Sequence, residues 1–160
     1  MLDWVALLCA LGCGLIAGAF FAFSTFIMKA LGNIPAPQGI AAMQSINLVV
    51  INPAFLGVFV GTAAVCMGVI VAAGLRWQDP GALLLILGSL LYVAGTFGVT
   101  MLCNVPLNDA LAVVEPASAA GAKLWDRYLT SWTVWNHVRT IAALAAAASL
   151  TIALVLRARG

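Results

Sequence analysis

The sequence predicts an all-α fold: a bundle of four transmembrane helices with a short helical cap on one face. Three observations carry this. Of the 160 residues, 64% are hydrophobic and only 8% are charged, whereas soluble domains have roughly 25% charged residues. Four stretches without Asp, Glu, Lys or Arg reach the roughly 17–25 apolar residues that cross a hydrocarbon core. Outside the termini and one short turn, the Asn, Gln, His and Arg side chains of the span ends and connections gather on a single side of these spans. The whole chain, residues 1–160, reads as one membrane domain.

The first span covers 4–28. Asp3 is the only charge before it, so the basic segment of a signal peptide is missing, and the span exceeds the 7–15 residues of such a peptide's apolar region. It is expected to be a retained helix. "GNIPAPQG" (32–39) then breaks the chain, because Gly and Pro punctuate helices. "QGIAAMQSINLVVI" (38–51) has few breakers and is expected to form a short helix at the membrane surface. Asn52 suits the N-cap of the second span, 54–75, and Pro53 suits the first helical position, where its missing N–H is unpaired anyway. "DPG" (79–81) makes a tight turn into the third span, 82–103. The fourth span, 138–156, is free of charge from Thr140. Trp125, Leu129 and Trp132 recur before it at helical spacing, so 117–140 is expected to run into it as one helix.

Gly14 with Gly18 and Gly57 with Gly61 form GxxxG pairs, and Gly95 and Gly98 lie in the third span. Small residues let helix backbones approach in lipid. These positions are therefore expected at contacts between helices, or between copies in a homo-oligomer. Cys9, Cys13, Cys66 and Cys103 lack CxxC spacing and read as small apolar packing residues.

An even number of spans puts both termini on one side, together with "RWQDP" (76–80). Arg76, Arg157 and Arg159 stand on that side, and Lys29, Lys123, Arg127 and Arg139 on the other. Basic residues mark the cytoplasmic side. The balance is close, and with Arg139 discounted as a buried group both termini are expected in the cytoplasm, with the chain in the inner or plasma membrane.

Nine residues collect on the opposite side: Gln44, Asn47, Asn52, Asn104, Asn108, Trp132, Asn136, His137 and Arg139, with Trp135 beside them. Polar groups at membrane depth are costly unless paired, and they tend to line cavities. Each has a plainer reading. Asn52 and Asn104 can cap helices, Gln44 and Asn47 can face water, the tryptophans can anchor at the interface, and Arg139 can snorkel to headgroups. His137 can bond a backbone carbonyl. The clustering favours a site.

The residue types exclude several chemistries. A di-iron bundle site needs several inward carboxylates, and the spans have none. Zinc needs three or four Cys, His, Asp or Glu ligands, which one His does not supply. No GxGxxG or P-loop motif supports a nucleotide. No GxSxG elbow accompanies Asp109 or Asp126 as a hydrolase acid. A net charge of +2 with scattered Lys and Arg gives no nucleic-acid patch. No metal and no cofactor are expected. An amide-rich aromatic pocket with one base, His137, and one fixed cation, Arg139, remains.

"FFAFSTFIMKAL" (20–31), "GIAAMQSINLVVINPAF" (39–55), "FGVTMLCNVPLNDAL" (97–111) and "LWDRYLTSWTVWNHVRTIAALAA" (124–146) resemble the anthrone-oxygenase-like family of small integral membrane proteins. The motifs AMQxIN, NxPLN and WNHxR carry the likeness. The resemblance implies a four-span protein that oxidises an anthrone to an anthraquinone with O₂, without metal or organic cofactor. Its partners would be membrane lipid, O₂ and a small hydrophobic aromatic substrate. An anthrone has an acidic CH₂, and histidine is the side chain that titrates near neutrality, so His137 is expected to act as base. Arg139 and Asn136 are expected to face the developing oxyanion. Gln44, Asn47, Asn52, Asn104 and Asn108 are expected to orient substrate or O₂, with Trp132 and Trp135 against its flat rings. The competing reading is a non-enzymatic membrane module that binds a lipophilic quinone, lipid or haem, or supports a partner protein. A transporter subunit is weaker, since no charge lies in mid-membrane.

At about 100° per residue, Trp132, Asn136 and Arg139 share a helix face, and His137 falls roughly 160° from Arg139. Either one face points inward or the pocket wraps half the helix. The wrapped pocket under the cap is the expectation.

Overall fold

A computed structural model describes residues 1–159. Among the described residues there are helices and no strand. They form α1 (Leu2–Gly32), α2 (Ala36–Val49), α3 (Pro53–Gly74), α4 (Ala82–Ala112) and α5 (Ala119–Arg157). All but α2 are long and apolar enough to cross a membrane. Within α1, Phe23–Ile27 is wound as a π-turn, and α4 contains two such stretches, Leu91–Gly98 and Thr100–Asn104.

Local chemistry sets the boundaries. Asn52 Oδ1 accepts from Phe55 N at 3.0 Å, and its Nδ2 donates to Val49 O at 2.9 Å, so one side chain ends α2 and starts α3. Ser118 Oγ accepts from Gly121 N at 2.9 Å and starts α5. Gly81 has φ +75°, and an added Cβ would lie 2.9 Å from Ala153 O. Turn geometry and crowding both require glycine there. α4 runs past the expected end at 103 and straight through Pro106. The π-turn at Thr100–Asn104 precedes the proline, which then occupies the first turn of the following α-helical stretch, where its missing N–H costs little.

At a rise of about 1.5 Å per residue, α3 is ~33 Å long, α1 and α4 ~46 Å and α5 ~58 Å. Only α3 is close to the roughly 30 Å of a hydrocarbon core. The ends near the chain termini are level. Arg157 pairs there with Asp3, lies 3.6 Å from Asp79 and donates to Pro80 O at 3.2 Å. The surplus length of the other three helices therefore projects at the opposite end, where α2 packs.

Close helix approaches use Gly95, as expected, and Gly12, but not the GxxxG pairs. A Cβ on Gly12 would sit 2.1 Å from Thr62 Oγ1, and one on Gly95 would sit 2.7 Å from Ala142 Cβ. Gly14, Gly18, Gly57 and Gly61 have open space where a Cβ would go. Both GxxxG pairs thus face outward and mediate no helix contact within the protomer. Cys9, Cys13 and Cys66 are buried in the bundle core as free thiols. The cap has its own core, in which Trp125, Tyr128 and Trp132 stack along α5 at centroid spacings of 5.6 and 5.9 Å over Ile40, Met43 and Leu111.

Candidate functional site

Because α3 begins at Pro53 while its neighbours continue, a recess opens at the capped end, with α2 as its roof. It holds a cavity of about 540 Å³. Phe20 and Phe23 of α1, Phe59 of α3 and Trp132 of α5 give it aromatic walls. Its polar lining includes Gln44, Asn47, Thr100, Asn108, Asp109 and Arg139.

Arg139 is the central group. It is 5% exposed, with its Cζ 3.9 Å from the Phe20 ring centroid and 4.8 Å from that of Trp132. Both are cation–π distances. Nε donates to Asn136 Oδ1 at 2.9 Å, and Nη1 donates to Thr100 Oγ1 at 3.3 Å. Among the described residues no carboxylate pairs with it, since the ion pairs all belong to Arg157. A buried cation lacking a counter-ion is costly.

The π-turns prepare this setting. Wider π-winding is frequent at functional sites because it re-aims backbone groups. Fully buried Asn136 donates through Nδ2 to Phe20 O and to Ser24 Oγ, both at 2.7 Å, beside the α1 π-turn. Thr100, which opens the second π stretch of α4, donates to Thr96 O at 2.8 Å and so offers its lone pair to Arg139. Thr96 Oγ1 donates to Arg139 O at 3.3 Å.

The asparagines and the glutamine divide by task. Asn108 Oδ1 accepts from both Tyr128 Oη and Trp132 Nε1 at 2.8 Å, which fixes the aromatic stack against the cavity. Asn104 donates to Trp132 O at 3.1 Å, is fully buried behind the wall and leaves its Oδ1 unpartnered. Gln44 Nε2 donates to Leu111 O at 2.9 Å and Val114 O at 3.0 Å, tying α2 to the end of α4. Asn47 Nδ2 is buried and unpartnered. Asn52 caps α3 and does not line the cavity.

The structure brings Trp132, Asn136 and Arg139 together on the inward face of α5. His137 and Trp135 lie on the exposed face, and neither lines the cavity. The wrapped pocket does not form: α5 buries the face that carries Trp132, Asn136 and Arg139, and His137, roughly 160° from Arg139, is left on the exposed side. Sequence reasoning missed Phe20, Phe23, Phe59, Thr100 and Asp109 as wall residues. Asp109 is exposed and, among the described residues, is the one carboxylate lining the cavity. Its position next to Asn108 in "NxPLN" followed by Asp was an available signal. No group of three or more His, Cys, Asp or Glu side chains converges among the described residues, so the cavity donors are guanidinium, amide, hydroxyl and indole groups.

Fold and site define a small, capped four-span bundle with an aromatic cavity around a buried, uncompensated arginine. The family model described as anthrone oxygenase matches residues 53–149, and the chain belongs to that family. The match includes Thr100, Asn108, Asp109, Trp132, Asn136 and Arg139, while the walls from α1 and α2 lie outside it. No curated protein and no solved structure matches the chain.

Proposed function

We propose that the protein is an integral membrane oxygenase of the anthrone oxygenase type, oxidising a flat, lipophilic keto-aromatic compound with O₂. The observation that carries this is Arg139, a cation without a carboxylate partner in an aromatic cavity. Such a site favours a ligand that becomes anionic once bound. An anthrone does so: it arrives neutral, and loss of a CH₂ proton puts negative charge on its oxygen. Arg139 is oriented toward that charge in advance by Asn136 and Thr100, and preoriented donors lower the energy of a developing oxyanion. Phe20, Phe59 and Trp132 suit the fused rings, and the volume falls within the roughly 300–1,000 Å³ usual for ligand cavities.

We assign the base to Asp109 instead of His137, because Asp109 lines the cavity and His137 does not. The Asp109 carboxylate takes the CH₂ proton. The anthrolate gives one electron to O₂, the two radicals combine at the former CH₂ carbon, and Asp109 returns the proton to the peroxide. Loss of water then leaves the ketone, so anthrone and O₂ become anthraquinone and water. The substrate supplies all the electrons.

Quinone absorbance, followed with purified protein and anthrone under air, tests this. Arg139→Met is expected to slow turnover about 10²-fold or more, and Asp109→Asn about 10²–10⁴-fold. His137→Ala is expected to keep the rate. Wild-type turnover in a folded Arg139→Met protein would remove the arginine from the mechanism, and a wild-type rate no faster than buffer would remove the oxygenase assignment.

A further inference from the structure

The walls of the cavity are unequal. Phe20, Trp132 and Arg139, on the side of α1 and α5, are buried. The exposed lining residues are all on α2's end, α3 and α4: Leu48, Ile51, Leu56, Met101, Asp109 and Ala112. α3 packs on α4 through Ala82–Gly98; Met101 lies beyond that stretch, and Leu56 is in the first turn of α3. Gln44 closes the gap between the roof and the end of α4. The exposed lining residues thus mark a slot between the α2–α3 corner and α4, running from Leu56 and Met101 to Asp109 and Ala112.

Its depth follows from the level helix ends. Leu56 is 18 residues from Gly74, and Met101 is 19 from Ala82. At about 1.5 Å per residue both lie ~27–28 Å from the terminal side, inside a hydrocarbon core of roughly 30 Å. Asp109, 27 residues from Ala82, lies at ~40 Å, among headgroups.

We propose that the cavity fills sideways from the bilayer, through this slot, with Leu56 and Met101 as its gate. The ligand class implied is a flat, uncharged molecule dissolved among acyl chains, which presents its oxygen to Arg139 only after passing the gate. The ligand's chemistry rests on the oxygenase reading above; the route does not. Width at Leu56 and Met101 then sets which ring systems are admitted.

The experiment uses the full chain in phosphatidylcholine vesicles and a small apolar diazirine dissolved in the bilayer, with labelled residues mapped by mass spectrometry. Phe20 and Phe59, buried in the cavity wall, are expected to be labelled. In Leu56→Trp/Met101→Trp their labelling is expected to fall at least fivefold, while lipid-facing Leu11 and Leu102 stay unchanged. Leu56→Ala/Met101→Ala, which adds no bulk, is expected to raise it. A charged, water-soluble diazirine is expected to leave Phe20 and Phe59 unlabelled. Unlabelled walls with the apolar probe, labelling indifferent to gate width in both variants, or efficient labelling from water would each overturn the lateral route. Intact gate-dependent labelling alongside wild-type anthrone oxidation no faster than buffer would instead overturn only the oxygenase reading.

Discussion

Asn108 shows how much one side chain can hold at this site. Its carbonyl oxygen is the shared acceptor for Tyr128 and Trp132, and both donors are in the cap core. Asn108→Leu strands two donors, and a buried unsatisfied group costs about 1–3 kcal/mol. A fall in stability of at least that size is expected in thermal unfolding in detergent, with a shift in tryptophan emission. Asn108→Asp keeps the acceptor and is expected to lose less; an equal loss would mean that the amide, and not the acceptor, matters. How far such roles are legible in the sequence depends on helical phase. Spacing alone put Trp132, Asn136 and Arg139 on one face and His137 off it, and that is how α5 lies. Which face turns inward was not legible, because Trp135 and His137 look as functional in one dimension as Trp132 and Asn136. Asp109 was hidden by the opposite effect: an acid at a helix end resembles ordinary surface. Phe20, Phe23 and Phe59 have the composition of any lipid-facing span.

Among the elements, the most sensitive contact is between α1 and α3 at Gly12 and Thr62. Gly12→Ala forces its new methyl into Thr62 Oγ1. Overpacking of this kind costs about 1–3 kcal/mol, readable as a lower unfolding temperature, and adding Thr62→Ala is expected to recover part of it. Gly14→Ala meets open space and is expected to leave the protomer's unfolding temperature unchanged or slightly raised. Equal losses at positions 12 and 14 would contradict the described α1–α3 packing. The GxxxG pattern could not make this distinction, because both glycines have the same local sequence character and only the partner helix separates them. Helix starts were legible where a side chain supplies the cap, as at Asn52. The extension of α4 to Ala112 was not, since π-winding before Pro106 has no clear sequence signal.

At the scale of the molecule, the family match covers α3, α4 and most of α5, yet α1 and α2 complete the cavity through Phe20, Phe23, Gln44 and Asn47. Replacing Gln44 with Leu removes both ties from the roof to α4. Faster backbone hydrogen exchange across Ala36–Val49 is expected, and unchanged exchange would show that the cap core alone holds α2. The unequal helix lengths have one more consequence. Three spans overshoot the hydrocarbon core and α3 nearly matches it, so the bundle cannot follow a change in bilayer thickness by tilting as one rod. Acyl chain length then sets where the lipid surface crosses Leu56 and Met101. In short-chain vesicles the tails stop below the slot, and in long-chain vesicles they cover it. Diazirine labelling of Phe59 is therefore expected to rise with acyl length, making membrane composition a throttle on how quickly the protein is supplied.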